Sequence, residues 1–305
     1  MRESLEGAHR AGFVSLLGRP NAGKSTLLNA LLGEKLAIVS SKPQTTRTVV
    51  QGVLTLPEAQ IVFLDSPGIH KSGSMLDKHM MSAIHEAAEG RDLLLFVADA
   101  TQTAGAEDAK VLDLVTKPGT PAMLVLTKVD KLRDKSQLLP RIEQYKALHE
   151  FAAYLPVSGL TGEGLDQLRR QIVERLPEGP ALFPADYLTD QPARFMAAEN
   201  IREKILMETR QEVPHSVAVV VDKWEDTGKL VKIAATIYVE RDGQKGILIG
   251  SGASMLKKIG IASRHEMERM LRRKVFLELV VKVRQGWRED PAFLNALDWR
   301  SMAEF

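Results

Sequence analysis

The stretch Gly18-Arg19-Pro20-Asn21-Ala22-Gly23-Lys24-Ser25 fits the pattern G-x-x-x-x-G-K-[ST]. It follows an apolar run at 12–17 and precedes a helical period at 25–32, which is the strand–loop–helix context that this pattern requires. Its glycines let backbone N–H groups close around phosphates, and the helix N-terminus adds partial positive charge. A chance match somewhere in about 300 positions has a probability of roughly 1%. The stretch therefore predicts a phosphate-binding loop.

The chemistry of a bound nucleotide assigns roles within this loop. We expect Lys24 to contact the β- and γ-phosphates and the Ser25 hydroxyl to ligate Mg²⁺. The other nucleotide-binding residues predicted here are Gly18, Asn21, Ala22, Gly23 and Thr26.

Two further motifs follow apolar runs that have the length of buried strands. Asp65-Ser66-Pro67-Gly68 follows the run at 60–64, so Asp65 would hold Mg²⁺ through water and the Gly68 N–H would sense the γ-phosphate. Thr127-Lys128-Val129-Asp130 follows the run at 121–126. Asp130 can accept hydrogen bonds from both N1–H and N2–H₂ of guanine, which adenine cannot supply. We expect Thr127 and Lys128 to belong to the same nucleotide site.

A fourth segment, Ser158-Gly159-Leu160, follows the run at 154–157 and would support the guanine through its main chain. Each short motif alone is more often a turn or a helix cap. Four motifs in order, each at the carboxyl end of a predicted strand, match the rule for ligand sites in open α/β sheets. The sequence therefore predicts a guanine-nucleotide site, and Asp130 disfavours a small-molecule P-loop kinase.

The first 176 residues alternate short apolar runs with helical periods, a pattern typical of βαβ units. Short runs that are nearly all apolar indicate strands buried on both faces. We therefore expect an α/β P-loop domain at 1–176, with a mainly parallel sheet and helices on both faces. The predicted strands are 12–17, 60–64, 93–98, 121–126 and 154–157, and the predicted helices are 25–32, 78–90, 107–115, 137–151 and 165–175.

A proline-rich stretch separates this pattern from a different one. Leu176-Pro177-Glu178-Gly179-Pro180 ends the last helix, and Pro184 and Pro192 follow, which predicts a linker at 177–192. Beyond it we expect a second, α+β domain at 193–305 with the order αββααβ. Its predicted elements are a helix at 193–211, strands at 216–224 and 230–239, helical segments around 253–273 and a strand at 275–283.

Composition excludes several classes of protein. The 305 residues carry 41 basic and 39 acidic side chains, a net charge of +2, and 44% of the chain is hydrophobic. This balance excludes a disordered polyelectrolyte and a collagen-like repeat. The absence of cysteine excludes disulfides and thiolate metal sites. No apolar run reaches about 18 residues, and residues 1–6 lack the core of a signal peptide, so we expect a soluble, cytoplasmic protein.

Positive charge is concentrated in the second domain. Residues 241–288 carry twelve basic and four acidic side chains, a local net charge of +8. Such a run is often only a solvated helix face. Because this one surrounds a glycine loop, it favours a phosphate-binding surface.

Together these motifs resemble the Era family, bacterial GTPases that join a G domain to a C-terminal KH domain. The likeness covers nearly the whole chain, and the conjunction of the two domains is more specific than either motif. It implies that the second domain is a type II KH domain. The matching segments are 18–25, 65–68, Gln44-Thr45-Thr46-Arg47, Glu240-Arg241-Asp242-Gly243-Gln244-Lys245, Ile249-Gly250, Lys257-Lys258-Ile259-Gly260, Leu277-Glu278-Leu279 and Lys282-Val283-Arg284-Gln285-Gly286-Trp287.

The resemblance implies an enzyme that hydrolyses GTP to GDP and phosphate with Mg²⁺ and uses this reaction as a switch. The implied Mg²⁺ ligands are Ser25, Asp65 and one threonine of the pair Thr45-Thr46. The alignment is ambiguous by one residue there; Thr46 is favoured and Thr45 is the alternative. The residues implied in catalysis are Asn21, Lys24, Thr46 and Gly68.

Two departures from related GTPases affect these expectations. Thr127 stands where the guanine motif usually has Asn, and since threonine still offers a hydroxyl we expect guanine binding to survive. Ile69 stands where Ras-like proteins place a water-orienting Gln. Asn21 resembles an asparagine that helps other GTPases bind K⁺ near the β/γ bridge. We therefore expect hydrolysis that is slow alone and stimulated by K⁺ or by a partner.

A KH domain binds single-stranded RNA with a G-x-x-G loop between two helices and an apolar groove for the bases. The corresponding loop here is Gly250-Ser251-Gly252-Ala253, in which Ala253 replaces the second glycine. The residues expected to contact phosphates are Lys245, Lys257 and Lys258. Ile247 and Ile249 are expected to line the groove, with an ordinary core or strand position as an equal alternative.

The resemblance also implies partners. These are the 3′ end of 16S rRNA, the small ribosomal subunit during its assembly, and single-stranded RNA rather than DNA. It implies peripheral contact with the inner face of the cell membrane as well, although a net charge of +2 supports only weak attraction. The alternative function is a constitutive RNA-binding assembly factor in which bound nucleotide is structural and uncoupled from RNA.

Overall fold

The computed structural model describes residues 9–42, 45–68, 73–115, 120–209, 213–214 and 216–299. The described residues within 1–37, 46–71 and 80–190 form one compact unit, and those within 38–45, 72–79 and 191–305 form another. Within the described part of the chain, no helix is long and apolar enough to span a membrane.

The first unit is built around a six-stranded sheet in the order β2-β3-β1-β4-β5-β6. All neighbouring strands are parallel except β2, which runs antiparallel to β3. The α/β expectation is therefore confirmed. The strands are β1 (Arg10–Leu17), β2 (Val50–Thr55), β3 (Ala59–Asp65), β4 (Leu93–Asp99), β5 (Ala122–Thr127) and β6 (Ala153–Pro156).

Helices follow these strands and cover the sheet. Every residue of β3 and β5 is buried, which requires cover on both faces. The longest helix predicted in the first domain, 137–151, is shorter in the structure: it ends at Lys146, and the chain then turns with the amides of Leu148 and His149 both donating to the Tyr145 carbonyl. The helices are α1 (Lys24–Leu32), α2 (Met75–Ala88), α3 (Ala106–Val115), α4 (Leu138–Lys146) and α5 (Leu165–Val173).

Strand β2 is the one element of the described first sheet that the sequence did not predict. Gly52 interrupts its apolar pattern, and glycine weakens the signal of a strand. The structure gives this glycine a packing reason, since a Cβ there would lie 2.5 Å from Leu32 Cδ1.

The predicted linker at 177–192 lies almost wholly in the first unit. The Gln60 side chain accepts from the amides of Leu182 and Phe183 at 2.7 and 2.8 Å. The Val53 amide donates to the Leu188 carbonyl at 2.8 Å. The division between the two compact units falls at 190/191.

The second unit has a three-stranded sheet in the order β7-β8-β9, with β7 antiparallel and β9 parallel to β8. Helices and strands follow the expected order αββααβ, and one short helix comes after them. The elements are α6 (Ala193–Glu208), β7 (Ala218–Asp226), β8 (Leu230–Val239), α7 (Asp242–Ile249), α8 (Ser254–Leu271), β9 (Lys274–Val283) and α9 (Pro291–Leu297).

Candidate functional site

The loop at 18–25 leaves β1 and enters α1, as the motif requires. Three of its residues have positive φ: Gly18 (152°), Asn21 (61°) and Gly23 (96°). A Cβ at Gly18 would lie 2.2 Å from the Val97 carbonyl oxygen, so only glycine fits there. These turns curl the loop into the concave shape that phosphate binding needs.

Lys24 lies buried across this loop. Its Nζ donates to the carbonyls of Gly18 and Arg19 at 3.1 and 3.0 Å. Burial lowers the pKa of Lys24 to about 8, and the charge of Asp65 partly offsets this. A phosphate beside the ammonium would favour its charged form.

The three predicted metal ligands meet beside Lys24. The Ser25 hydroxyl donates to Asp65 Oδ2 at 2.6 Å and lies 2.9 Å from Thr46 Oγ1. Thr46 Oγ1 is itself 3.4 Å from Asp65 Oδ2. The Thr45 hydroxyl instead donates to the Lys42 carbonyl at 2.7 Å, so this geometry favours Thr46 over Thr45 as a ligand.

Asp65 has the electrostatics of a cation site. Burial raises its pKa to about 6, while the charge of Lys24 and hydrogen bonds from Ser25 and Thr46 lower it. Its Oδ1 is buried and has no hydrogen-bond partner among the residues that the structure describes. One carboxylate and two hydroxyls form the all-oxygen set that Mg²⁺ prefers. These residues therefore fit a magnesium ion.

Gly68 approaches the phosphate loop closely. A Cβ on Gly68 would lie 2.7 Å from Pro20 Cα, which explains why the D-x-x-G motif needs glycine at this point. The backbone of Gly68 thus stands where it could sense a terminal phosphate. Ile69, to which the expectation about slow hydrolysis refers, lies outside the described residues.

The guanine motif is joined to the phosphate loop by hydrogen bonds. The Thr127 hydroxyl lies 2.5 Å from the Ala22 carbonyl oxygen and 3.1 Å from that of Ala98. Lys128 Nζ donates to the Asn21 carbonyl at 2.6 Å. Thr127 therefore uses its hydroxyl to hold the loop in place of the usual asparagine amide.

The predicted base-recognition residues also come together. The Ser158 hydroxyl donates to Asp130 Oδ1 at 2.6 Å and accepts from the amides of Leu160 and Thr161 at 3.3 and 3.1 Å. Gly159 lies against Thr26, since a Cβ there would be 3.2 Å from the Thr26 carbonyl. The structure thus brings all four nucleotide motifs into one site.

Two acidic residues support this site without having been predicted. Asp99, at the end of β4, accepts from Lys128 Nζ at 2.7 Å. Asp108 accepts from Arg19 at 3.3 Å and is buried. A polar residue directly after a predicted strand was the available signal for Asp99. Asp108 had none, because its contact depends on how α3 packs.

The second unit carries a shallow groove of about 530 Å³ beside the glycine loop. Most of the side chains that line it are apolar, and two basic side chains, Lys257 and Arg264, lie beside them. The lining residues are Ala253, Leu256, Lys257, Gly260, Ile261, Arg264, Leu277 and Leu279. An apolar floor with cations beside it suits bases and phosphates, respectively.

The glycine loop lies between α7 and α8, as expected for a KH domain. Gly250, Gly252 and Ala253 all have positive φ, at 71°, 55° and 60°, and Ser251 is exposed. Ala253 therefore adopts a left-handed conformation that glycine adopts without steric cost.

Neither of the two isoleucines predicted for the RNA groove is among the residues that line the hollow beside the glycine loop. Ile247 is exposed on α7 and lines a separate hollow with Arg241 and Arg288. Ile249 packs against the core of the second unit. Of the predicted phosphate contacts, Lys257 borders the groove, Lys258 pairs with Glu208 at 2.5 Å, and Lys245 is half-buried on α7. RNA contacts by all of these residues stay predictions.

Comparisons with known proteins match both the first and the second half of the chain. Residues 13–128 match the family model of a 50S ribosome-binding GTPase, and residues 212–288 match that of a KH domain. The chain is 50% identical over 292 residues to GTPase Era of Geobacter metallireducens, covering 95% of this chain and 98% of that protein. The chain belongs to the Era family of GTPases. It is accordingly a GTP-hydrolysing enzyme with a KH domain.

Solved Era structures share this architecture. A variant of Aquifex aeolicus Era bound to GDP and AlF4⁻ superposes with a TM-score of 0.92 at 40% identity, covering 95% of this chain and 99% of that one. Era in complex with MgGDPNP and nucleotides 1506–1542 of 16S ribosomal RNA superposes with a TM-score of 0.93 at 40% identity, and the match covers 95% of this chain and 99% of that one. The expected fold and family are thereby confirmed.

Proposed function

We propose that this Era-family GTPase binds the 3′ end of 16S rRNA as a GTP-dependent switch during assembly of the small ribosomal subunit. The observation that carries the proposal is that one chain brings four nucleotide motifs together and also has a glycine loop with an apolar hollow beside it. The full-length likeness to Era bound to 16S rRNA supports it. The family model of a 50S ribosome-binding GTPase matches only residues 13–128, and this stretch does not include the KH domain.

For the reaction, Ser25, Thr46 and Asp65 would hold Mg²⁺, which supplies charge that neutralises the phosphate oxygens. Lys24 would exchange its two carbonyl partners for phosphate oxygens. Asp130 would select guanine, and the Gly68 amide would distinguish GTP from GDP. Thr26, Gly159 and Leu160 would complete the pocket around the base.

Potassium is the proposed activator. Asn21 lies in the left-handed region at the tip of the phosphate loop, and its carbonyl is fixed by Lys128. Its side chain would help hold K⁺ near the β/γ bridge. Hydrolysis should be faster in KCl than in NaCl at equal ionic strength by about tenfold, or about 1.4 kcal/mol of barrier. Equal rates would remove potassium from the proposal.

The place of action is proposed to be the cytoplasm, where ribosomes are assembled, with weak peripheral contact at the inner face of the cell membrane. Sedimentation with anionic vesicles at physiological salt tests that contact. Binding that disappears when the vesicles are neutral would support it, and no binding to either would remove it.

The experiment that tests the switch is a fluorescence titration of single-stranded RNA copied from the 3′ end of 16S rRNA. The protein is loaded with a non-hydrolysable GTP analogue or with GDP at fixed salt. Affinity about tenfold tighter with the analogue corresponds to a coupling free energy of about 1.4 kcal/mol. Equal, tight binding in both states would favour the constitutive assembly factor. Matched RNA of scrambled sequence controls for charge attraction alone.

A further inference from the structure

Residues 38–45 belong to the second compact unit, although the residues on both sides of them in the chain belong to the first. The described residues of this segment, 38–42 and 45, include the threonine that precedes Thr46. Two side chains of α6 bind its main chain. The Val39 amide donates to Glu203 Oε1 at 2.9 Å, and Arg202 Nη2 donates to the Thr45 carbonyl.

Both side chains are buried, with 0% of Glu203 and 2% of Arg202 exposed. Buried charges are costly unless they are paired and hydrogen-bonded. The pairing here is close: Arg202 Nε donates to Glu199 Oε1 at 2.7 Å, and Lys204 Nζ donates to Glu203 Oε2 at 2.8 Å. Apolar residues could fill the same space and would not need ionic partners, so stability alone does not explain why charged residues stand here. Two ionic groups directed at backbone atoms are suited to fixing the conformation of the segment.

The bond to Thr45 reaches the metal site through one peptide unit. The carbonyl of Thr45 and the amide and Cα of Thr46 lie in one plane because the peptide bond is planar. Arg202 therefore fixes the plane from which the Thr46 side chain projects. The hydroxyl at the end of that side chain lies 2.9 Å from Ser25 Oγ.

Helix α6 also forms ion pairs with α8, the helix that borders the RNA groove. Glu208 pairs with Lys258 of α8 at 2.5 Å. Lys204, the partner of Glu203, also lies 3.7 Å from Glu266 of α8. Hydrogen bonds to Val39 and Thr45, followed by ion pairs of Lys204 and Glu208, thus link this segment through α6 to α8.

We propose that Arg202 and Glu203 are positioning residues: they hold the main chain at Thr45 and Val39 so that Thr46 faces the metal site, and α6 transmits the state of these contacts to the RNA-binding helix α8. The proposal rests on the role of Thr46 as a metal ligand in the proposed function. Through Arg202 and Glu203, exchange of GDP for GTP would alter the RNA groove.

The first test compares Arg202→Met with Arg175→Met in the full-length protein. The control also removes a guanidinium that donates to a main-chain carbonyl, that of Ala152 at 3.1 Å. For Arg202→Met we expect kcat for GTP to fall about tenfold, or about 1.4 kcal/mol. The affinity for GDP should change less than about twofold, because the proposed switch uses Thr46 as a metal ligand in the GTP-bound state. Arg202→Lys, which keeps the charge but not the planar fork, should recover only part of the rate.

The same variants are then titrated with the 16S-derived RNA. Arg202→Met should bind RNA with equal affinity in the analogue and GDP states, while the control keeps the difference. Loss of both GTP and GDP binding in Arg202→Met, or an unchanged kcat, would overturn the proposal. Thr46→Ala separates the two claims: if it leaves hydrolysis intact, the ligand assignment itself fails.

Hydrogen exchange on the wild-type protein keeps the test independent of folding in the variants. The Val39 amide, which donates to Glu203, should exchange more slowly with the GTP analogue and Mg²⁺ than with GDP. Equal protection in the two states would contradict a nucleotide-dependent hold on this segment.

Discussion

The two glycine loops of this chain, 18–25 and 250–253, both rely on residues at positive φ, but Gly18 and Gly252 differ in how closely other atoms approach them. Each has three residues at positive φ, of which one is not glycine: Asn21 in the first and Ala253 in the second. The first loop is enclosed, as the 2.2 Å approach of a Gly18 Cβ to the Val97 carbonyl shows. A Cβ at Gly252 in the second would meet nothing within 4 Å. Packing and φ together restrict the first loop, whereas φ alone restricts this position of the second.

The strongest test of this contrast is the pair Gly18→Ala and Gly252→Ala. Gly18→Ala forces a methyl group onto a backbone oxygen, so we expect a loss of about 3 kcal/mol in the free energy of unfolding and loss of nucleotide binding. Gly252→Ala adds only the cost of a left-handed alanine, about 1 kcal/mol. Urea unfolding of both variants measures the difference. Equal losses would mean that the first loop is not enclosed as described.

Enclosure also predicts a pH dependence that belongs to Asp65. Its folded pKa, about 6, lies above its ordinary value of 3.8, because burial disfavours the carboxylate. The folded state therefore favours the protonated form of Asp65. Its contribution to the free energy of unfolding is fully present below about pH 3.8 and is lost as the pH rises through about 6. Lys24, with a pKa of about 8, stays largely charged over that window.

We expect the nucleotide-free protein to lose on the order of 2 kcal/mol more between about pH 4 and pH 7.5 than Asp65→Asn does. Urea unfolding at a series of pH values measures both profiles. Asp65→Asn is the matched control, since an amide of the same shape does not titrate. Parallel profiles for the two proteins would contradict the burial of this carboxyl group.

The hold on the enclosed loop is tested at Thr127. One hydroxyl proton serves two buried carbonyls, those of Ala22 and Ala98, and threonine can donate to only one at a time. Thr127→Val removes that donor at nearly constant volume, and we expect about tenfold weaker GDP binding, or about 1.4 kcal/mol. Thr127→Asn, with two N–H donors, should bind at least as tightly as the wild type. Titration with a fluorescent GDP analogue ranks the three, and a valine variant that binds normally would show that the hydroxyl is dispensable.

The enclosed site was easier to predict from sequence because its chemistry is local. The phosphate loop, Asp65 and Asp130 each follow a buried strand directly, so a short motif carries the position. The choice between Thr45 and Thr46 stayed open, since it depends on which hydroxyl faces Ser25 across the fold. Strand β2 was missed for a related reason: Gly52 packs against Leu32, a contact between segments.

The hollow beside the loop at 250–253 is harder to predict for the same reason. The sequence points to Ile247 and Ile249, which lie next to the loop in the chain. The hollow beside the loop is lined by Leu277 and Leu279, which β9 brings there from almost 30 residues away, and the RNA contacts of Ile247 and Ile249 stay predictions. Which alternate residues of β9 face the helices depends on its register with β8. The hold of Arg202 on Thr45 had no sequence signal, since both partners are recognised only in the folded unit.

The smallest expected effect concerns the open loop, at Ala253. Its φ of 60° destabilises the folded state by about 1 kcal/mol with alanine, and glycine has no such strain. Glycine, however, also increases the conformational entropy of the unfolded chain, which offsets part of the gain. We therefore expect Ala253→Gly to raise the free energy of unfolding by about 0.5 kcal/mol. Because glycine can adopt the φ that Ala253 already has, the loop keeps its conformation, and RNA affinity at fixed salt should change less than about threefold. Urea unfolding and RNA titration measure the two effects. A destabilised variant would contradict the left-handed conformation, and a large gain in RNA affinity would mean that the methyl group of Ala253 obstructs the strand.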